Sequence, residues 1–461
     1  MTQGTRIDIK DLQGRIRGDV LTPADRDYDE TRKIWNGMID RRPRLIVRCT
    51  ETGDVIEALS FARQNGLPVC VRSGGHGVGG HSVRDGALMI DLSTMKGVEV
   101  DPERRVARVE AGVLLGQLDA ETQPLGLAVP AGVVTHTGIA GLTLGGGIGW
   151  LMRKHGLTVD NVRSFDVVTA GGETLKASAG ENSDLFWGLC GGGGNFGIVT
   201  SFEFTLVPAG PEVMAGVIVH PAADARDVLR FYRDFIADAP DELTTIVNLR
   251  HAPPAPFLPE SVHGKPVVLI AACYAGPTEE AVEVLRPLRE YGAPLADAVE
   301  PRQFTDFQGL FDASVLHGQR YYWKSEYLGP LSDDAIDTMV AHAWEAPSPK
   351  SYSIMFHMGG AIRRVGEAET AFQGRGAEHA LNINGVWTDP AGDEQEIAWA
   401  RDFWTDMQPY STGVYVNFLG DEGEDRVRAA YGSEKYERLV QLKRKYDPEN
   451  VFSSNQNISP G

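Results

Sequence analysis

The sequence predicts an α+β fold of two domains, in which an antiparallel sheet in the second domain is covered by helices on one face. Three observations lead to this prediction. The chain has 461 residues, which is too long for one hydrophobic core. Short β-rich runs alternate with helical stretches from about residue 44 to 208. Longer strands interleaved with amphipathic helices follow from 213 to about 405, and such runs and periods indicate strands and helices.

The first predicted domain spans residues 1–208, with a core from about residue 40. Runs such as RLIVRC and ALMIDLS are typical of strands, and DVIEALSFARQNG has the pattern of a helix. Glycine is dense throughout this half, and glycine lets a backbone approach a ligand closely. We therefore expect this domain to bind a ligand.

The second predicted domain spans residues 209–405, after a boundary marked by Pro208, Gly210 and Pro211. Its strands, rich in Val, Ile and Tyr, alternate with amphipathic helices. That order fits an antiparallel sheet covered by helices on one face. Residues 406–461 are predicted to form a compact C-terminal segment that returns to the first domain.

Composition excludes several classes of partner. Lys and Arg number 44 against 63 Asp and Glu, a formal charge of −19 that repels nucleic acid and anionic membranes. No apolar run approaches the ~18 residues that a membrane span needs, and the N-terminus lacks the apolar stretch of a signal peptide. We therefore expect a cytoplasmic protein. The four cysteines lack metal-ligand or disulfide spacing and are predicted to be small buried apolar residues.

Two glycine clusters, at 75–80 and 192–197, match the pattern G-x-G-x-x-G of dinucleotide-binding loops. That pattern works when the loop leaves a strand and opens a helix whose N-terminus faces a pyrophosphate. Here the first cluster leads to the strand ALMIDLS and the second to IVTSFEFTL. Both are therefore rejected as Rossmann-type sites.

A glycine loop can still bind phosphate without a helix, because consecutive backbone N–H groups form a concave anion site. A third cluster, GIAGLTLGGGIG at 138–149, lies between the other two. Three such clusters favour a large phosphate-bearing cofactor over glycine turns that bind nothing. Residues 72–77 are the predicted phosphate loop.

His76 lies inside this loop, where a side chain is sterically unwelcome unless it is used. Imidazole is a competent nucleophile toward an activated carbon. Metal ligation is the competing role, but the only other candidate ligand nearby in the sequence is His81, in the same flexible loop.

Several long motifs occur in order along the chain: RSGGH at 72–76, GVVTHTGIAGLTLGGGIGWLMRKHGLTVDNV at 132–162, LFWGLCGGGGNFGIVTSFEF at 185–204, YVN at 415–417 and NQNI at 455–458. With these motifs the chain resembles the berberine bridge enzyme-like branch of the vanillyl-alcohol-oxidase flavoproteins from about residue 40 to the C-terminus. The resemblance implies a two-domain PCMH-type FAD-binding fold. The N-terminal half and the C-terminal tail would bind FAD, and the second domain would lie over the flavin ring.

The resemblance also implies that His76 carries FAD covalently through the 8α-methyl carbon of the flavin. Many members hold the flavin a second time through a cysteine in a G-x-C-x-x-x-G context, and here Val134 takes that position. Attachment is therefore expected through His76 alone. Since double attachment accompanies open sites for bulky glycans in that family, an oligosaccharide oxidase is less favoured.

The residues predicted to contact the cofactor are Arg72, Ser73, Gly74, Gly75, His76, Gly77, Ser82, Gly132, Val133, Thr137, Gly138, Gly141, Leu142, Gly147, Val199, Tyr415 and Asn417. Thr137 matches the position beside the reactive flavin edge that influences oxygen access. Its hydroxyl either bonds the flavin or fills space, and both roles stay open. Leu142 stands where some members carry a histidine near the pyrimidine edge.

Oxidation of a C–H bond by flavin needs a base for the proton of the adjacent O–H or N–H group. Tyr415 is the first candidate: in a strand, Tyr415 and Asn417 point to the same face, and both match the YxN motif of the family. A tyrosinate base needs a lowered pKa. The alternative is a tyrosine packed under the ring.

Strand alternation supplies two further candidates. It places Ser353, Met355 and His357 on one face of a strand, and Asn382 and Asn384 on one face of another. The resemblance assigns both strands to the sheet that faces the flavin. His357 and Asn384 are therefore predicted to line the site as catalytic candidates.

The sequence thus predicts an FAD-dependent oxidase that acts on an alcohol, phenol-type or amine-bearing secondary metabolite and passes the electrons to O2. The protein is expected to be a monomer or homodimer. The alternatives are a flavin-dependent oxygenase of a polyketide-like substrate, a sugar or oligosaccharide oxidase and, from a different class, a flavin-binding protein without catalytic activity.

Overall fold

The computed structural model describes residues 9–461. The strands of its N-terminal part, residues 9–208, are β1 (Asp19–Leu21), β2 (Leu45–Arg48), β3 (Val69–Arg72), β4 (Leu88–Asp91), β5 (Val98–Asp101), β6 (Val106–Glu110), β7 (Leu127–Ala128), β8 (Val162–Val168), β9 (Thr174–Ser178), β10 (Ile198–Thr205) and β11 (Val207–Pro208). Its helices are α1 (Ile9–Arg15), α2 (Tyr28–Thr31), α3 (Thr52–Gln64), α4 (Leu115–Thr122), α5 (Ile139–Leu144), α6 (Met152–His155) and α7 (Ser183–Leu189).

The N-terminal part contains two sheets and one small strand pair. The first sheet has the order β1-β2-β4-β3, with β2, β4 and β3 parallel. The second is antiparallel, with the order β5-β6-β10-β8-β9, and β7 pairs with β11. The helix α3, which is buried along one face, connects β2 to β3, as a parallel crossover requires. The predicted phosphate loop starts where β3 ends.

The remaining strands are β12 (Glu212–Pro221), β13 (Leu243–His251), β14 (Pro266–Tyr274), β15 (Ala296–Asp297), β16 (Glu300–Gln303), β17 (Arg320–Leu328), β18 (Tyr352–His357), β19 (His379–Trp387) and β20 (Ser411–Gly413). The remaining helices are α8 (Ala225–Ala237), α9 (Thr278–Glu290), α10 (Phe304–Gln308), α11 (Asp333–His342), α12 (Asp393–Met407), α13 (Glu424–Tyr431) and α14 (Ser433–Tyr446). The strands form one antiparallel sheet, the large sheet, in the order β15-β12-β14-β13-β18-β19-β17-β20, with β16 also paired to β12. Its last strand lies beyond the predicted boundary at residue 405.

The two faces of the large sheet bury different partners. Met355, Leu381 and Ile383 lie on the face that packs against α8, α9, α11 and α12. Ile354 and Phe356, next in the alternation, belong to the apolar core shared with the N-terminal part. The prediction of an antiparallel sheet covered by helices on one face is confirmed.

The C-terminal segment contacts the N-terminal part through hydrogen bonds as well as apolar packing. The Lys443 Nζ donates to the Asn195 carbonyl over 2.9 Å and pairs with Asp447 over 2.7 Å. The Ile458 amide donates to Asn195 Oδ1 over 2.9 Å. All four cysteines are buried and form no disulfide, as predicted. Within residues 9–461 no helix is long and apolar enough to cross a membrane.

Candidate active site

A cavity of about 380 Å³ lies between the N-terminal part and the inner face of the large sheet. Most of the residues predicted to contact the cofactor line it: Ser73, Gly74, Gly75, His76, Gly77, Ser82, Gly132, Val133, Thr137, Gly138, Gly141, Leu142, Val199, Tyr415 and Asn417. The catalytic candidate Asn384 also lines it, on β19 beside Asn382. Motifs far apart in the sequence therefore converge on one site.

Two predicted cofactor contacts lie outside this cavity. The Arg72 guanidinium pairs with the buried Asp91 carboxylate and donates to the Lys33 carbonyl over 3.1 Å, so it ties β3 to β4. Gly147 has φ of +85°, and a Cβ there would lie 2.2 Å from the Thr158 hydroxyl. Its amide donates to Tyr415 Oη over 2.9 Å. Both residues therefore fix neighbouring parts of the site by hydrogen bonds without lining the cavity.

His357 does not line the cavity, so the predicted placement of that face of β18 is wrong. The face that carries Met355 packs against helices, and Tyr352, Ile354 and Phe356 line the cavity instead. The His357 Nε2 accepts a hydrogen bond from Arg153 over 3.0 Å. Burial and this cation lower the pKa of His357 to about 2, and its side chain does not line the cavity.

The loop of residues 74–77 is built as an anion site without a helix. Its four amide groups donate no hydrogen bond to the described part of the chain, and Gly75 has a φ of +65° that favours glycine. Cβ atoms added at Gly77, Gly141 or Gly194 would meet nothing within 4 Å and would enter the cavity. Free N–H groups beside space kept open by glycine fit a phosphate-bearing cofactor.

His76 presents a neutral imidazole to the cavity. Its ring stacks on Trp35, with centroids 4.4 Å apart, and Trp35 stacks on Tyr321 at 3.7 Å. Its Nε2 has no hydrogen-bond partner among residues 9–461. Burial, together with His136 and His317, lowers the pKa of His76 to about 3. The neutral form carries the lone pair that a nucleophile requires.

Tyr415 and Asn417 meet, although not by strand alternation. Tyr415 precedes a short 3₁₀ turn over Val416–Phe418. The Asn417 Nδ2 donates both to Tyr415 Oη and to the Leu142 carbonyl, each over 2.9 Å. Burial nevertheless raises the pKa of Tyr415 to about 12, against these hydrogen bonds. The lowered pKa that a tyrosinate base needs is therefore not found.

The roof of the cavity is aromatic and amide-bearing. Its side chains include Trp323, Tyr352, Phe356 and Phe418. The Asn382 Nδ2 donates to Asn384 Oδ1 over 3.2 Å, and Asn382 Oδ1 has no partner among the described residues. No Asp, Glu, Lys or Arg from the described part of the chain lines the cavity.

Sequence reasoning missed several residues at this site. Trp35, His136 and His317 surround His76. Trp35 and His317 belong to no local motif, and His136 lies within the motif at 132–162 but was not predicted to take part in the site. His81, predicted to be a plain loop residue, lines the cavity, and its backbone carbonyl accepts a hydrogen bond from Ser454 over 2.7 Å. Asn455 and Gln456 of the C-terminal tail also line the cavity. In the sequence, only the NQNI motif indicated that the tail would take part in the site.

Comparison with known proteins places the chain in a family. The family model described as "FAD binding domain" matches residues 43–178, and the one described as "Berberine and berberine like" matches residues 414–459. An FAD-linked oxidoreductase of Dictyostelium discoideum is 32% identical over 450 residues, which cover 96% of this chain and 95% of the relative. The (R)-6-hydroxynicotine oxidase of Paenarthrobacter nicotinovorans is 30% identical over 461 residues, with 96% and 97% covered.

Solved structures agree with this placement. The crystal structure of 6-hydroxy-D-nicotine oxidase from Arthrobacter nicotinovorans matches with a TM-score of 0.87 at 28% identity, over 97% of this chain and 98% of that one. The Physcomitrella patens BBE-like 1 structure, 24% identical, has the same fold with a TM-score of 0.85 over 96% of this chain and 97% of that one. The chain belongs to the berberine bridge enzyme-like FAD-linked oxidoreductases. It is an FAD-dependent oxidoreductase with the PCMH-type fold that the sequence predicts.

Proposed function

We propose that this oxidoreductase is an oxidase that holds FAD covalently through His76 alone. In this proposal it oxidises an uncharged aromatic molecule bearing an alcohol, phenol or amine, and passes the electrons to O2. The observation that carries the proposal is the neutral His76 imidazole with an unpartnered Nε2, facing a glycine-lined cavity within residues 9–461. Val134 stands where a second tether would need a cysteine, and valine cannot form a thioether.

The residues present fit FAD. The free amides of residues 74–77 would hold its pyrophosphate, and the glycine-lined floor with Thr137 and Gly141 would lie against the rest of the cofactor. FAD, when bound, supplies the acceptor for a hydride. The protein supplies the walls that exclude water and orient the substrate.

The lining restricts the charge of the substrate. Burying a charge without a partner costs several kcal/mol, and the described lining offers no charged partner. Trp323, Tyr352 and Phe356 favour a planar ring, and the Asn382 and Asn384 amides can hydrogen-bond a polar substituent. These features support a neutral aromatic substrate.

The lack of a ready base favours an amine over an alcohol. An alcohol must lose its O–H proton as hydride leaves, whereas a neutral amine already carries a free lone pair. The pKa of Tyr415 is raised, and burial lowers the pKa of His81. The name of the relative (R)-6-hydroxynicotine oxidase supports a heteroaromatic amine as the first substrate to test.

The proposal is tested on the purified holoenzyme in two steps. After acid precipitation, we expect the yellow colour to stay in the protein pellet and the band to fluoresce on a denaturing gel. A panel of aromatic amines, alcohols and phenols, each paired with a carboxylate analogue, is then assayed for anaerobic bleaching and peroxide release. We expect the neutral member of each active pair to exceed its analogue by at least about tenfold in kcat/KM, equivalent to ~1.4 kcal/mol. Extractable flavin would contradict the covalent link, and preference for the carboxylates would contradict the substrate class.

Tyr415→Phe is expected to slow flavin reduction by less than about 100-fold, because a true general base contributes about 10² to 10⁴. The loss arises because the Gly147 amide and the Asn417 amide lose a shared acceptor, a change of about 1–3 kcal/mol. Since the pKa of Tyr415 is raised to about 12, we expect no change in the pH profile between about pH 6 and 9. Stopped-flow reduction measures both quantities.

The matched control for this prediction is Tyr327→Phe. Tyr327 is buried, and its hydroxyl has no hydrogen-bond partner in the described part of the chain. Its ring centroid lies 6.3 Å from that of Tyr415, but it does not line the cavity. We expect its reduction rate to match wild type. A loss above 100-fold for Tyr415→Phe alone, with a shifted pH profile, would restore Tyr415 as the base.

A further inference from the structure

Three imidazole rings form a row from the cavity to the surface. The His76 ring lies 5.0 Å from that of His136, and the His136 ring lies 4.9 Å from that of His317, measured between centroids. His76 faces the cavity, His136 is half-buried and His317 is exposed to solvent. We call these residues the histidine row.

Hydrogen bonds hold the outer part of the row in place. The Thr135 amide, next to His136, donates to Asp312 Oδ1 over 2.9 Å. The Trp35 Nε1 donates to the Val315 carbonyl over 2.7 Å, and the Gly318 amide donates to the Trp35 carbonyl over 3.0 Å. The loop that carries His317 is therefore fixed both to the segment of His136 and to the tryptophan under His76.

The ring nitrogens of the row are available for proton transfer. The His76 Nε2 and the His136 Nδ1 have no hydrogen-bond partner among residues 9–461. Burial lowers the pKa of all three imidazoles, with Asp312 acting in the opposite direction on His136. In the described residues no group of His, Cys, Asp or Glu is arranged to hold a metal ion. Three adjacent imidazoles in a row fit a path for protons better than a metal site.

We propose that His136 and His317 carry protons away from His76 while FAD becomes attached to it. This inference rests on the proposed covalent link. In the attachment, one C–H bond of the flavin 8α-methyl group breaks and a C–N bond to His76 forms. Two protons leave, one from that carbon and one from the imidazole N–H group. The two electrons pass through the flavin to O2, which takes up two protons and becomes hydrogen peroxide.

The need for such a path follows from the surroundings of His76. No carboxylate of the described residues lines the cavity, so a proton leaving the His76 ring has no charged acceptor there. The half-buried His136 is an adjacent acceptor, and the exposed His317 connects it to water. Both act through His76 and are positioning residues rather than catalytic residues.

The test measures the rate of attachment rather than the activity of the finished enzyme. Full-length protein produced under riboflavin limitation is mixed with FAD in air, and covalent flavin is followed by fluorescence on denaturing gels. We expect His136→Gln and His317→Gln each to slow attachment by at least about tenfold, below the full 10² to 10⁴ of direct proton transfer. Total bound flavin and Tm should stay at wild-type values. Added imidazole should restore part of the rate in His136→Gly.

The outcomes separate this inference from the proposed function. If wild type itself acquires no covalent flavin, the proposed link fails and this inference fails with it. If wild type is fully labelled and both glutamine variants are labelled at its rate, only the inference is overturned. His317 is exposed, so its replacement tests the path even if His136→Gln fails to fold. His263→Gln, remote from the cavity, is the control and should match wild type.

Discussion

His76→Ala is expected to contain no covalently bound flavin. In the proposed link the imidazole supplies the nitrogen that bonds the flavin carbon, whereas alanine offers no nucleophile. The amides of residues 74–77 are backbone groups and stay in place, so the variant should still bind FAD reversibly. After acid precipitation, the colour should move entirely to the supernatant, whereas the pellet of the wild type should stay yellow.

The cavity offers few substitutes for His76. Cys70 is the one thiol among the described lining residues, but burial raises its pKa to about 12. A protonated thiol is a poor nucleophile. His81→Ala is the matched control, because it removes an imidazole that lines the same cavity and should leave the covalent link intact. A fluorescent band that persists in His76→Ala would contradict the assignment.

Gly141→Leu is expected to lose most of its FAD while the protein itself stays folded. Gly141 lies on α5, is exposed to the cavity and has nothing within 4 Å of its Cβ position. Leucine therefore clashes with no protein atom nearby but occupies space that we propose the cofactor fills. Overpacking costs typically about 1–3 kcal/mol, so FAD binding should weaken by roughly 10- to 100-fold.

The stability of the Gly141→Leu apoprotein, in contrast, should increase. Replacing glycine within a helix by a good helix former favours the helix by about 1 kcal/mol. Titration with FAD in the His76→Ala background, where binding is expected to be reversible, and thermal unfolding of the apoprotein measure the two effects separately. Gly14→Leu is the control, since Gly14 lies on α1, is exposed and also has open space around it. It should gain similar stability and keep full FAD binding, whereas full binding by Gly141→Leu would show that the cofactor lies elsewhere.

Local motifs predicted the floor of the site well. The glycine clusters could be recognised in the sequence itself. Because strand-like runs follow Gly80 and Gly197, the sequence also predicted that no helix begins there. The approach of Gly74 to Gly138, where an added Cβ would lie 2.5 Å from a backbone nitrogen, explains why both positions lack side chains.

It was harder to predict which face of a buried strand points to the site. Both faces of β18 are buried, so its sequence lacks the polar and apolar alternation that distinguishes inside from outside. Because the wrong face of β18 was assigned to the site, His357 was predicted to line it and Phe356 was not. Tyr415 and Asn417 were paired correctly for another reason, because a turn rather than a strand brings them together.

Long-range contacts that involve residues outside the sequence motifs could not be predicted. Trp35 and Val315 are 280 positions apart in the sequence yet share a hydrogen bond, and His136 meets His317 only through that docking. No local pattern marks such residues, because their role depends on segments that the fold brings together.

The contact between Arg153 and the large sheet also bears on how substrates exchange. From α6, its guanidinium donates to the carbonyls of Leu243, over 2.8 Å, and Ala239, over 3.0 Å, and to that of Met358. Separating the N-terminal part from the large sheet would remove all these acceptors from the buried guanidinium at once. Leaving a buried charge without partners costs several kcal/mol. We therefore expect these hydrogen bonds to oppose a wide separation of α6 from the large sheet. We expect substrate and product to pass through smaller movements at the rim of the cavity, a route that would leave a cofactor attached to His76, as proposed, in place.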